Sequence, residues 1–184
     1  FFFFRRERKQ EYPLFPVDLL KIPIFSLSIM TSIFSFIAQM LAMVSLPFFL
    51  QGSLGKDEVA TGLLLTPWPL TTMLFAPLAG VLVEKINAGI LGGVGLLIFA
   101  FGLFMLGELP ANPQDIDIIW RMAICGAGFG LFQTPNNSTI ISSAPKERSG
   151  GASGMLGTAR LLGQTSGAAL VALMFRLFPG DSMN

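Results

Sequence analysis

One stretch limits what this chain can fold into more than any other: Trp120 to Pro145, WRMAICGAGFGLFQTPNNSTIISSAP. It is long enough to cross a bilayer as a helix, which takes about 20 residues. It is not a uniformly apolar anchor. Arg121 opens it, and Gly126, Gly128 and Gly130 follow at alternate positions. Gln133, Thr134, Pro135, Asn136 and Asn137 then form an unbroken run at mid-depth. Polar side chains are costly in hydrocarbon, so they face a protein interior or a water-filled path. A proline frees a backbone carbonyl, which is tolerated where neighbouring helices or a cavity satisfy it. The stretch therefore reads as a helix lining a solute path. The competing reading is a packing helix whose glycines admit a neighbour and whose amides bond across helices.

Composition fits that setting. Of 184 residues, 52% are hydrophobic and 12% are charged, against about 25% charged in an ordinary soluble domain. The chain reads as an integral membrane protein. It has no histidine, and its single cysteine, Cys125, lies in an apolar run. A lone cysteine makes neither an internal disulfide nor a multi-cysteine metal site, so Cys125 reads as a small packing residue. The class expected is all-α: a polytopic transmembrane bundle with about five spanning helices.

Phe1 to Phe4 precede Arg5, Arg6, Glu7, Arg8 and Lys9. Charges after the apolar run reverse the order of a signal peptide. Residues 1–21 therefore read as the end of a preceding helix plus a basic linker, in an internal piece of a longer chain. The bundle is expected over 22–178, with spans at about 22–50, 59–83, 88–106, 120–144 and 151–178, and a short tail at 179–184. The first span carries Ser26, Ser28, Ser32 and Ser35, with Gln39 as its mid-membrane amide. In the second, Pro67 and Pro69 flank Trp68, and two such prolines bend or break a helix. Trp68 belongs either to an interfacial aromatic belt or to a central cavity. The third and fifth spans are rich in glycine, including Gly163 and Gly167, and suit close helix approach. The fifth also carries Arg160 and Gln164, one helical turn apart on one face.

Charge orients the bundle. Arg5, Arg6, Arg8, Lys9, Lys21, Lys85, Lys146 and Arg148 fall on one side. The other side holds Lys56, with Arg121 and Arg176 near span ends, and is otherwise acidic. The positive-inside rule puts the first side in the cytoplasm, including 5–21, 84–87 and 145–149. Spans one, three and five then run outward.

No catalytic constellation, metal-ligand spacing or cofactor site is present in the sequence, and nothing suggests nucleic-acid binding. Gly126-x-Gly-x-Gly lies inside an apolar span with no strand before it, so it is not a dinucleotide site. All eleven acids fall in loops or at membrane edges. A proton-coupled transporter needs a titratable group inside the membrane, so in such a protein that group would lie outside this chain.

Four segments together resemble the major facilitator superfamily, specifically the C-terminal half of a fourteen-helix drug:proton antiporter. Leu46-Pro-Phe-Phe-Leu-Gln51 resembles the family's P-x-x-x-Q exit before a short outer loop. Gly80-Val-Leu-Val-Glu84-Lys85-Ile-Asn87 resembles the G-x-L-a-D-r-x-G loop, with Glu84 for Asp, Lys85 for Arg and the closing glycine displaced to Gly89. Arg121 with Gly126 and Gly128 is similar to R-x-x-q-G-x-G, with one extra residue between. Arg160-Leu-Leu-Gly163-Gln-Thr-Ser-Gly167 resembles the glycine-repeat helix of this branch, without the antiporter proline.

The resemblance implies two six-helix bundles rocking about a site near the bilayer midplane, with this chain as helices nine to thirteen. Gln39, Trp68, Gln133, Asn136 and Asn137 then become candidates for the substrate-cavity wall. Gly80, Glu84, Lys85 and Arg148 become candidates for a cytoplasmic gate. Arg121, Arg160, Gly126, Gly128, Gly163 and Gly167 supply intramembrane charge and packing, with Arg160 paired to carbonyls or to an acid from elsewhere. The implied partners are the bilayer, a small-molecule substrate, protons as coupling ion, and the rest of the parent chain in a bacterial inner membrane. The implied activity is efflux of lipophilic drugs. A uniporter or symporter of the same fold and a non-transporting membrane scaffold are the alternatives.

Overall fold

Pro23 starts the first long helix, because its fixed φ suits the opening turn and its missing N–H is not needed there. In the computed structural model, which describes residues 17–177, α1 runs Pro23–Phe48 and widens into a π turn over Phe49–Ser53. A single-turn 3-10 segment, Val17–Lys21, precedes it. The basic stretch expected at 5–16 and the tail at 179–184 lie outside the described residues. The chain reverses at Gly55, whose φ of 61° is open to glycine without strain. Asp57 then caps α2 by accepting from the Ala60 amide at 2.7 Å.

Helix α2, Glu58–Leu82, is made of two pieces, Glu58–Leu65 and Pro67–Leu82. The interruption follows from chemistry: Pro67 and Pro69 remove two helical donors in succession. Asn87 caps α3, Ala88–Gly107, through Gly89 N–H at 2.8 Å. A capping box of Gln114 and Asp117 starts α4, Asp115–Ser143. A 3-10 turn, Lys146–Arg148, leads into α5, Ser149–Leu177.

The segments Pro23–Ser53, Glu58–Leu82 and Ala88–Gly107 are long and apolar enough to cross a membrane. Helices α4 and α5, at 29 residues each, have the length, but glycine and polar residues dilute their apolar character. The protein is all-α and multi-pass.

Glycines fix the directions of the helices. A Cβ on Gly102 would meet Cys125, and one on Gly95 would meet Phe132, so α3 and α4 are antiparallel. Gly126 lies on Trp68, and Gly130 on Thr72 and Ala76, so α2 and α4 are parallel. Gly163 lies on Ile33 and Phe36, and Gly167 on Ile37 and Met40, so α5 runs parallel to α1. The result is a tight trio (α2, α3, α4) and a tight pair (α1, α5), joined along a sparser seam between α1 and α4. One end of the bundle carries Lys21, Lys85 and Lys146, and the other carries Asp57, Glu108 and Asp115. They are called the basic and acidic ends below.

Candidate functional site

The seam is layered along its length. Towards the acidic end, Phe129 of α4 meets Phe36 of α1 edge-on, with ring centroids 5.5 Å apart. Phe99 and Trp68 extend this aromatic cluster into the trio. Towards the basic end, Phe25 and Ile29 pack with Ile140, Ala152 and Met155 in a second apolar cluster. Between the two clusters lies a polar layer. There the Asn136 amide donates to Ser32 Oγ at 2.7 Å and to the Ser28 carbonyl at 3.3 Å. Ser32 is 1% exposed, and Ser35 donates to the Ser32 carbonyl at 2.8 Å.

The helical period brings these residues into line. Phe129, Gln133, Asn136, Asn137 and Ile140 recur at spacings of three and four, so they share one stripe of α4. Phe36, Ser32, Ile29 and Ser28 form the facing stripe of α1. Pro135 sits in the middle of α4 and cannot donate to the Leu131 carbonyl, which loosens the ladder beside Asn136. Thr139 Oγ1 donates to the Pro135 carbonyl at 2.8 Å, and Thr134 Oγ1 to the Ala76 carbonyl of α2 at 3.2 Å.

The cavity candidates separate into three groups. Asn136 is committed to α1. Gln39, Gln133 and Asn137 are half-buried and have no side-chain hydrogen bond among the described residues. Their amides are therefore available to a ligand or to water. Trp68 does not join them. Its side chain is 1% exposed, packed at 5.6 Å from Phe99 and 6.4 Å from Phe129, in the core rather than on an open wall. Its indole N–H has no acceptor among the described residues.

The gate candidates also differ among themselves. Glu84 and Lys85 are exposed and form no ion pair among the described residues. Gly80 lies near the Thr134 methyl at ordinary contact distance. Arg148 is held: its guanidinium donates to Asp18 at 2.9 Å, a partner the sequence reading missed. Asp18 sits in the 3-10 segment that leads into α1, so this pair ties the lead-in of α1 to the α4–α5 turn at the basic end.

Arg121 lies at the other end of α4. It donates to the Asp117 carbonyl at 2.8 Å, pairs with the Asp117 carboxylate at 3.3 Å and stacks 4.4 Å over Trp120. Its buried Nε has no partner among the described residues. Gly126 and Gly128 put the α4 backbone against α2 and α3. A Cβ on Gly163 or Gly167 would stand 2.6 to 2.8 Å from α1 atoms. Arg160 is exposed and forms no ion pair among the described residues. No group of His, Cys, Asp or Glu that could hold a metal ion occurs among the described residues.

Comparison with known proteins places this geometry. Residues 2–168 match the profile of the Major Facilitator Superfamily. The chain is 71% identical over 181 residues to an uncharacterized transporter, YebQ, of Escherichia coli strain K12, which covers 98% of this chain and 39% of that protein. It is 29% identical over 165 residues to the multidrug resistance protein Stp of Mycobacterium tuberculosis, covering 90% and 30%. It is 28% identical over 170 residues to the riboflavin transporter RibZ of Clostridioides difficile, covering 92% and 37%. The chain thus spans less than two fifths of the length of these relatives.

Proposed function

This chain belongs to the Major Facilitator Superfamily, and we propose that it forms the C-terminal half of a transporter that exports lipophilic small molecules in exchange for protons. All five helices cross the membrane in this reading. The basic end is cytoplasmic by the positive-inside rule, so α1, α3 and α5 run outward. The bundle rocks against the other half of the protein about a site near the midplane.

The observation that carries the reading is the stripe on α4. A membrane helix holds three amides in five residues, Gln133, Asn136 and Asn137, and only Asn136 is spent on packing. Unpaired amides facing hydrocarbon are disfavoured. Gln133, Asn137 and, across the seam, Gln39 then line the solute path, beside the buried contact of Phe36 with Phe129. A few convergent amides on otherwise apolar helices suit a lipophilic solute. The relation to Stp supports drugs as the cargo. The relation to RibZ favours a second reading, a carrier of the same fold for a polar aromatic nutrient. Every acid among the described residues sits at a bundle end, so we place the proton-carrying group elsewhere in the full-length protein.

The test is Asn137→Leu in the full-length protein, in cells lacking their other drug pumps, because Asn137 has no side-chain hydrogen bond among the described residues to lose. Resistance is expected to fall while membrane abundance changes little. Unchanged resistance, or a loss only in step with abundance, would remove the lining role. Accumulation assays with riboflavin decide between the two cargoes.

A further inference from the structure

A charge inside the membrane must be matched by something, and Arg160 has no ion-pair partner among the described residues. Its depth follows from the glycine contacts. Gly163 packs at Ile33 and Phe36, and Gly167 at Ile37 and Met40. Arg160, three residues earlier on the same helix, therefore stands level with Thr31 and Ser32 of α1. That is about 13 Å along α1 from Pro23, and about three turns into α5. Helix α1 is apolar and long enough to span, so this level is within the hydrocarbon. Arginines that snorkel to the interface sit nearer a helix end.

Leu161 and Leu162, the next two residues, are 62% and 51% exposed. Every acid among the described residues lies in a turn, a 3-10 segment, a cap or the first turn of a helix. None stands at this depth. Gln164 follows one turn later on the same face, half-buried and without a side-chain hydrogen bond among the described residues. A guanidinium fork with a carboxamide one turn away offers parallel donors to a planar anion.

We propose that Arg160 and Gln164 form an intramembrane carboxylate-binding site, opening on the solute path and giving the transporter a preference for cargo with a carboxylate. The proposal rests on the transport reading above. It separates this face of α5 from the Asn136 stripe: one side recognises charge, the other apolar and amide surface.

The experiment uses the full-length protein with two export probes, norfloxacin, which carries a carboxylate, and ethidium, which carries none. Arg160→Gln is expected to reduce norfloxacin export about tenfold, the loss of one charged hydrogen-bonding partner, while ethidium export stays within twofold. Arg160→Lys is expected to restore part of the norfloxacin export. Equal loss of both probes at normal abundance, relieved by neutralising an acid elsewhere in the full-length chain, assigns the carboxylate to the protein and overturns the cargo preference. Equal loss without such relief, or no effect on either probe, overturns the site. A second measurement needs no cargo. Gly157→Cys, one turn before Arg160 and with nothing within 4 Å of its Cβ, leaves Arg160 and Gln164 in place; with other cysteines replaced, it is expected to react with a charged, membrane-impermeant thiosulfonate and to be protected by salicylate. A thiol that does not react faces lipid, which overturns the site. If the unsubstituted protein exports neither probe, the drug reading fails and the thiol measurement alone decides the site.

Discussion

On one flank of α4, Gly126, Gly128 and Gly130 set its backbone against the backbones of α2 and α3. On another, Phe129 and Asn136 reach α1 through their side chains. Lipid tails are as apolar as leucine, so helices in a membrane gain little from hiding apolar surface. They associate through close packing and cross-helix hydrogen bonds. The glycine flank maximises the first: the amide of Phe99 and the carbonyl of Gly95 fill the space a Gly128 side chain would take. Thr72 donates to the Gly126 carbonyl at 2.9 Å and adds the second. The α1 flank has one side-chain amide, a few serines and an edge-on aromatic contact. Backbone packing of the first kind has one arrangement, whereas side-chain contacts of the second kind can be exchanged for others. Of the two flanks of α4, the glycine flank is therefore the rigid one and the α1 flank the one that can yield.

The strongest way to break that comparison is to place a side chain in the glycine flank. Gly128→Val would drive methyl groups into the α3 backbone, which cannot move aside. The expected cost is about 3 kcal/mol, the upper part of the range for overpacking, or roughly a hundredfold in folded fraction. Steady-state abundance and unfolding in a detergent titration both read it. Gly157→Ala is the control, because a Cβ there meets nothing within 4 Å; it is expected to change stability by less than about 0.5 kcal/mol. If Gly128→Val were as stable as Gly157→Ala, the trio would not be the rigid part. A smaller effect is expected in the seam. A double-mutant cycle of Asn136→Leu and Ser32→Ala should give a coupling of about 0.6 kcal/mol, the average for hydrogen bonds between membrane helices. A coupling near zero would mean that the Asn136 side chain is not spent on α1.

Much of this was legible in the sequence and some of it could not be. The apolar runs, the Pro67–Pro69 interruption and the crowding of glycines are local signals, and local signals survive folding. The superfamily was legible from four short segments in order. The start of α4 was placed too late, at Trp120, because Asp115 and Asp117 look like loop acids. The role of Asp117 in a capping box with Gln114 was the signal available. Ser32 stood in the sequence as one of the serines on the first span, yet it accepts from Asn136, 104 residues away. Trp68 read as a candidate for the cavity wall, yet Phe99 and Phe129 enclose it. Such partners depend on the register of one helix against another, which no single helix encodes. The same holds for Asp18 and Arg148, 130 residues apart.

The smallest expected effects concern the two ion pairs that close the ends, and they sharpen the comparison further. Lys56 pairs with Asp115 at 2.6 Å at the acidic end, with side chains 31% and 55% exposed. Arg148 pairs with Asp18 at the basic end, with the arginine 14% exposed. Asp115 lies in the first turn of α4, where the helix dipole stabilises a carboxylate without any lysine. Lys56→Gln is therefore expected to cost about 0.2 kcal/mol, the low end for exposed pairs. Arg148→Gln leaves Asp18 with no such support and frees the segment leading into α1 from the α4–α5 turn. Its expected cost is about 1 kcal/mol, and it should shrink with added salt as the pair is screened. Thermal unfolding at low and high salt separates the two. An equal cost for both, with no salt dependence, would show that the lead-in of α1 is held by the Phe25–Ile140 cluster alone and that Arg148 does not staple it.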